Sequence, residues 1–170
     1  MNKLMNVLTR GVVALANSAS KLQTLQMRLT AGEVKDGMEH LEPYGFTSCP
    51  HEGAEALAGF MGGDRSHGVV IVVSDRRYRI QELEPGEVAI YTDEGDKVHF
   101  KRGRVIAVET GTLNITATDS VNFNTPKITQ TGQIISQGDQ VAGGVSQIKH
   151  PHSGVQPGNG QSGPAVPGAV

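Results

Sequence analysis

Side chains able to do chemistry sit at a few places in the 170-residue sequence, and the sharpest of these is His150-Pro151-His152. On an extended strand residues i and i+2 point to the same side, so both imidazoles can face one point. Two ligands alone make a poor metal site. Three symmetry-related copies would supply six nitrogens, an octahedral set that suits a transition ion such as iron better than tetrahedral zinc. From spacing alone, a His-x-His in a Gly/Pro-rich tail is more often a solvated loop. Cys49-Pro50-His51 and Ser66-His67 are neighbours in sequence, which does not orient a base toward a nucleophile, so exposed loops are expected there and no enzyme. Asp93-Glu94-Gly95-Asp96 has the carboxylates of a calcium loop without the rest of an EF-hand, and reads as a hairpin turn. Arg76, Arg77 and Arg79, with Lys101, Arg102 and Arg104, supply basic residues, but only Tyr78 and Phe100 lie among them as stacking aromatics.

The charge balance weighs against a polyanion partner. Fifteen Lys+Arg stand against 17 Asp+Glu, a net charge of −2, so no long-range field draws the chain to nucleic acid or an anionic membrane. A single Cys excludes an intrachain disulfide and a Cys-based zinc finger. The distribution of charge is more telling than its sum. Residues 110–170 carry only Asp119, Lys127, Asp139 and Lys149, and from Ser153 to Val170 there is no charged residue, while five Gly and three Pro fall in that stretch. Two differently built halves and an uncharged tip are expected. Near the start, the apolar run Val12-Val13-Ala14-Leu15 is ended by Asn17 and Ser18, too short for a secretory core or a membrane span, so neither an export signal nor a transmembrane helix is expected.

The elements that must position these residues are mostly strands. Leu25, Met27 and Leu29 alternate with Gln26 and Arg28, and Val69 to Val73 is a β-branched run followed by the turn-forming Ser74-Asp75 and by an alternating Arg77 to Ile80, a hairpin signature. Pro85-Gly86 and Asp93 to Asp96 predict turns, and Val88–Tyr91, Val98–Phe100 and Arg104–Val108 predict strands. Gly53 to Met61, with Ala54, Ala56, Leu57, Ala58 and Phe60, reads as the one helix, and Leu4, Leu8 and Leu15 allow a short amphipathic helix interrupted by Gly11. Short strands with one helix suit a small barrel of the oligonucleotide/oligosaccharide-binding (OB) type.

Between Thr110 and Lys149, 18 of 40 residues are Ser, Thr, Asn or Gln and only ten are Val, Ile, Leu or Phe. So sparse an apolar set cannot offset about 1–2 kcal/mol of backbone entropy per ordered residue in a single chain. Yet Leu113 and Ile115, Val121 and Phe123, Ile128 and Ile134 recur in short alternating pieces between polar or Gly/Pro turns. The segment is either disordered or one third of a core completed by identical chains, and alternation with β-branching favours the second. The alternative function is an OB-fold nucleic-acid-binding module with a disordered C-terminal tail.

The stretch Gly138-Asp139-Gln140-Val141-Ala142-Gly143-Gly144-Val145-Ser146-Gln147-Ile148-Lys149-His150-Pro151-His152-Ser153-Gly154 resembles the tip of the central spike of Mu-like contractile-tailed bacteriophages, the baseplate assembly protein V group. Gly63 to Gly68, Ser74 to Arg79 and Gly86 to Tyr91 resemble that family's barrel, and the resemblance runs from about Gly11 to the C-terminus. It implies an all-β fold: a small OB-like barrel, an intertwined trimeric triple-stranded β-helix and a pointed C-terminal apex. The parts expected are an N-terminal segment over 1–20, the barrel over 21–95, the shaft over 96–149 and a metal-binding apex over 150–170. In the family the His-x-His motifs of three chains bind an axial iron ion, and His150 and His152 match that motif. Calcium or chloride ions accompany such shafts, and Asp139 is the only plausible carboxylate near the tip. The implied partners are two further copies of the chain, tail hub and baseplate proteins and host outer-membrane lipids, without nucleic acid. The implied location is the virion, at the tip of the tail baseplate. The implied role is mechanical: to puncture the host outer membrane.

Overall fold

The computed structural model describes residues 7–154 and 158–159, which fall into two compact units, one ending at Ile115 and one beginning at Thr116. Among the described residues all regular structure is β apart from two single 3-10 turns at Thr30–Gly32 and Met61–Gly63. Among the described residues no helix is long and apolar enough to cross a membrane.

The first five strands, β1 (Leu8–Asn17), β2 (Thr24–Leu29), β3 (Val34–His40), β4 (Glu55–Phe60) and β5 (Gly68–Ser74), close into a barrel of order β1-β2-β3-β5-β4. All neighbours are antiparallel except β3 and β5, which run parallel. This is an OB-like barrel. Closure depends on β1, whose ten residues pair with β4 through Leu8–Val12 and with β2 through Gly11–Asn17. An extra residue between Val13 and Leu15 breaks the register with β2, and such a bulge bends a strand enough to serve two neighbours. Gly11 lies where β1 serves both, and a Cβ there would stand 2.5 Å from the Arg28 carbonyl oxygen, so only glycine lets the strands approach.

The core is formed by inward residues of every barrel strand: Val13, Leu25, Met27, Leu29, Met38, Ala56, Ala58, Phe60 and Val70, with Ala54 just ahead of β4. Leu25, Met27 and Leu29 face inward as their alternation predicts. Two expectations fail here. The segment Gly53–Met61 is not a helix but contains strand β4. Its alanines favour a helix intrinsically, but Ala54, Ala56, Ala58 and Phe60 recur at every second position and are all buried, and that period of two decides. Residues Arg77–Ile80 do not return as a hairpin strand. Asp75 holds them in a turn, its carbonyl accepting the Tyr78 and Arg79 amides and its carboxylate the Arg77 amide and guanidinium. The barrel moreover begins at Leu8, inside the stretch assigned to a separate N-terminal segment with a short helix, and the 14 residues between β3 and β4 form a loop. That loop is pinned by a buried pair. The His40 Nδ1–H donates to Gln23 Oε1 at 3.1 Å, and Gln23 Nε2 donates to the Ser48 carbonyl at 2.7 Å.

Three further strands, β6 (Val88–Tyr91), β7 (Lys97–Lys101) and β8 (Val105–Glu109), form a separate antiparallel sheet rather than barrel strands. A turn at Pro85-Gly86 precedes β6, and the strands are joined by turns at Arg102–Arg104 and at Thr92–Asp96, where the Thr92 amide donates to the Asp96 carbonyl at 3.0 Å.

Ion pairs lace the barrel's outside. The Arg65 guanidinium pairs with Glu33, bonds Thr9 Oγ1 at 3.2 Å and lies 4.2 Å from the Phe60 ring centre, and it holds the Glu33 carboxyl below the usual carboxylate range. Asp75 is lowered likewise, first by Arg77. A carboxyl depressed in the folded state contributes stability above its unfolded pKa of about 4, lost as pH falls through the folded value. Barrel melting temperature is therefore expected to be level from pH 7 to about 5 and to fall below that range. Arg65→Ala should flatten the acid limb and cost at most about 1 kcal/mol at neutral pH, since both side chains are partly solvated. Thermal melts of the two proteins across pH 3–7 check both.

Candidate metal centre and an unpartnered sheet face

The C-terminal site is built on a small hairpin. Strands β9 (Val141–Ala142) and β10 (Val145–Ser146) pair through a two-residue turn at Gly143-Gly144, with φ of 57° and 83°. Two successive positive φ values define the type I′ turn, which Gly-Gly accommodates without strain. Beyond β10 the chain folds back on itself. Asp139 Oδ1 accepts the Ile148 amide at 3.1 Å, the Gln140 carbonyl accepts the Gln147 amide at 2.9 Å, and Ser146 Oγ accepts the Lys149 amide at 2.8 Å. The neighbouring Ser146 hydroxyl first, then the Ile148 amide, hold the Asp139 carboxyl below its ordinary range.

This turn sets the first imidazole. His150 Nδ1 lies 2.7 Å from the Ser146 carbonyl oxygen. A carbonyl only accepts, so Nδ1 carries the proton, and in the neutral ring Nε2 is left with a free lone pair. The ring of His152 lies beside it, centres 4.8 Å apart with planes at 71°, so His150 and His152 are brought together on one side of the chain. The donor set fits a transition ion: neutral imidazole nitrogen, exposed, with the far nitrogen of His150 hydrogen-bonded as metal-ligating histidines are. Among the described residues, however, no three His, Cys, Asp or Glu side chains of one chain come close enough to hold an ion. Asp139 serves as a cap on the turn through its bond to the Ile148 amide.

The other pairs singled out from sequence do not form catalytic geometry. Ser66 Oγ donates to Asp64 Oδ1 at 2.7 Å rather than to His67, and His51 Nε2 lies 3.1 Å from Asp93 Oδ2, tying the long barrel loop to the β6–β7 turn. Arg77 is engaged by Asp75 and by the Glu52 carbonyl, and Arg76 shares Glu55 with Arg10. Sequence reasoning missed Glu87 and His99, a partly buried pair 3.0 Å apart. Glu87 also accepts the Arg102 and Glu84 amides, which hold its carboxyl below the usual range and fasten the Pro85-Gly86 turn to the sheet. Twelve residues separate the two in sequence, and only the strand pairing unites them.

The largest unexplained feature is the β6–β7–β8 sheet. Val88 lies opposite Phe100 and Phe100 opposite Ile106, while Ile90 lies opposite Val98 and Val98 opposite Val108. Directly opposed residues of antiparallel strands share a face, so these six form one apolar surface. The other face carries Tyr91, Lys97, His99, Lys101 and Glu109, with an ion pair of 2.9 Å between Lys97 and Glu109. An amphipathic sheet of this kind normally packs its apolar side on a core, yet Ile106 is 62% exposed and Val88, Ile90, Phe100 and Val108 are exposed as well.

The tail continues the theme. Val121, Phe123, Ile128, Ile134 and Ile135 are all exposed, Ile135 to 87%, and the chain from Thr116 to Gln140 pairs with no strand. Bends recur at 125–126, 131–132 and 137–138, where Thr125 and Ser136 hydroxyls and the Gln130 amide each bond the carbonyl two residues on. Ile128 falls between the first two of these bends, and Ile134 and Ile135 fall between the second and the third.

Two stretches of the chain match known families: residues 10–77 match "Bacteriophage Mu Gp45, N-terminal" and residues 144–166 match the "GpV Apex motif". An OB-like barrel at one end and an apex motif at the other define a phage spike-type structural protein. The chain is 36% identical over 172 residues to the "Baseplate puncturing device gp45" of Escherichia phage Mu, covering 91% of this chain and 87% of that one. It is 34% identical over 158 residues to the "Mu-like prophage FluMu protein gp45" of Haemophilus influenzae, covering 86% of each. The chain belongs to the phage Mu gp45 family.

Proposed function

We propose that the protein is the central spike of a contractile phage tail, carried at the tip of the virion baseplate, where it punctures the host outer membrane as a homotrimer. Membership of a family that includes a baseplate puncturing device carries the role. The unpartnered apolar sheet face carries the trimer. Six large side chains on one face of a sheet, followed in sequence by a tail in which Val121, Phe123, Ile128, Ile134 and Ile135 are exposed, need a cover of the same extent and chemistry. Two further copies of the chain supply it at every level. In this arrangement the β6–β8 sheets and the tails form the shaft and its triple-stranded β-helix, while the barrel, with Arg76, Arg79 and neighbouring loops, meets the tail hub and other baseplate proteins.

The function is mechanical. Force delivered along the tail is concentrated on the narrow apex, and interchain hydrogen bonds along the shaft give the stiffness to bear it. The sequence after His152 carries no charge, which lowers the cost of meeting lipid, since a charged residue at mid-bilayer costs at least about 2.5–3.5 kcal/mol. At the apex His150 and His152 of three chains hold one axial transition ion, iron, which cross-links the chain ends when bound. Nucleic acid is not among the proposed partners, because Arg76 and Arg77 are committed to carboxylates on the barrel's own surface.

Solution mass tests this reading. Light scattering is expected to give three times the chain's 18.0 kDa, with no salt-dependent binding of duplex or single-stranded DNA. A monomer, or tight salt-sensitive DNA binding, would favour the nucleic-acid module instead.

A further inference from the structure

We infer that Asp139 and Ser146 are positioning residues for the apical histidines, holding His150 in the tautomer that presents Nε2 as a ligand. The inference rests on the metal reading above, but it concerns a state of the metal-free chain and can be tested there. In water a neutral imidazole prefers its proton on Nε2, the nitrogen a ligand role needs bare. At His150 the preference is reversed by one contact, the Nδ1–H donated to the Ser146 carbonyl at 2.7 Å. That carbonyl has to be aimed, and the residues from 146 to 149 aim it. Asp139 Oδ1 fixes the Ile148 amide from across the hairpin, and Ser146 Oγ fixes the Lys149 amide within the turn. Asp139 stands nine residues before Ile148, at the entry to the hairpin, so the Gly143-Gly144 turn is what brings the cap to the ligand turn. The function of the small β9–β10 hairpin is thereby explained: it is the bracket on which the first ligand is mounted.

Partners of this kind around a metal-bound histidine typically change affinity about 10–100-fold when removed. Asp139→Ala takes away the acceptor of the Ile148 amide, whereas Asp139→Asn keeps an oxygen in its place. Nitrogen-15 NMR of the metal-free protein reads the tautomer directly. Wild type and Asp139→Asn are expected to show His150 protonated on Nδ1, and Asp139→Ala to shift toward the Nε2–H form. Ferrous ion added anaerobically, and withdrawn by a competing chelator, should leave Asp139→Ala roughly 10-fold faster than wild type, with Asp139→Asn close to wild type. Sedimentation checks that all three remain trimers. If the wild type binds iron while Asp139→Ala keeps both the Nδ1–H tautomer and the wild-type release rate, the positioning role is wrong and the metal reading stands. If the wild type binds no iron yet the tautomer shifts as described, the positioning of the ring is right and the metal reading falls. Wild-type His150 found in the Nε2–H form overturns the inference outright.

Discussion

Phe100→Asp is expected to reduce the solution mass from three chains to one. Phe100 occupies the middle strand of the β6–β7–β8 sheet, flanked on its face by Val88 and Ile106. If that face is covered by sister chains, the substitution places three carboxylates against apolar neighbours with no cation to pair them. An uncompensated buried charge costs about 3–5 kcal/mol, here once per chain. The barrel should survive, because its core and the residues packed against it reach no further than Val73. Lys101→Ala, on the opposite face of the same strand, is the control and should leave the mass unchanged. Sedimentation velocity at micromolar concentration, with circular dichroism to follow the barrel, reads both. A Phe100→Asp trimer would mean that the apolar face is not the contact.

Removing both apical histidines should have the opposite signature: metal lost, trimer kept. The expected metal content of the wild-type protein is one ion per three chains, falling to none in His150→Ala/His152→Ala, while the mass stays at three chains. In the proposed trimer association would rest on the shaft, so the two properties should separate. Binding needs unprotonated imidazole, so acidification should release the ion before the trimer comes apart. Elemental analysis of purified protein decides it. One ion per chain, or none in the wild type isolated without chelator, would return the motif to a solvated loop.

How much of this was legible in the sequence varies by element. The strands with clean period-two or β-branched patterns, Leu25–Leu29 and Val69–Val73, were readable because one chemical signal dominated. Strand β4 was not, because alanine's helix preference and the period-two burial of Ala54, Ala56, Ala58 and Phe60 point in opposite directions, and only the closing barrel settles the contest. Strand β1 was hidden by its bulge, which breaks the alternation where the strand bends. Strand β3 was missed because Lys35, Asp36, Gly37 and Glu39 dilute its apolar residues to Val34 and Met38. The pairing of His150 with His152 was visible in the spacing. The Ser146 carbonyl that orients His150 was not, since a backbone acceptor leaves no trace in residue type.

The open sheet has a further consequence for how the protein is made. The barrel is closed and offers no edge, but β6 and β8 are both edge strands, and the chain from Thr116 to Gln140 leaves its backbone donors and acceptors without strand partners. Each newly synthesised chain thus exposes a template that accepts any extended segment, the feature that seeds aggregation. The proposed trimer would satisfy those groups with sister chains, whereas a crowded misfolded state would satisfy them with anything. The barrel can fold as each chain emerges, whereas in the proposed trimer completion of the shaft would wait for three chains to meet, so its rate would climb steeply with chain concentration and compete with clumping throughout synthesis.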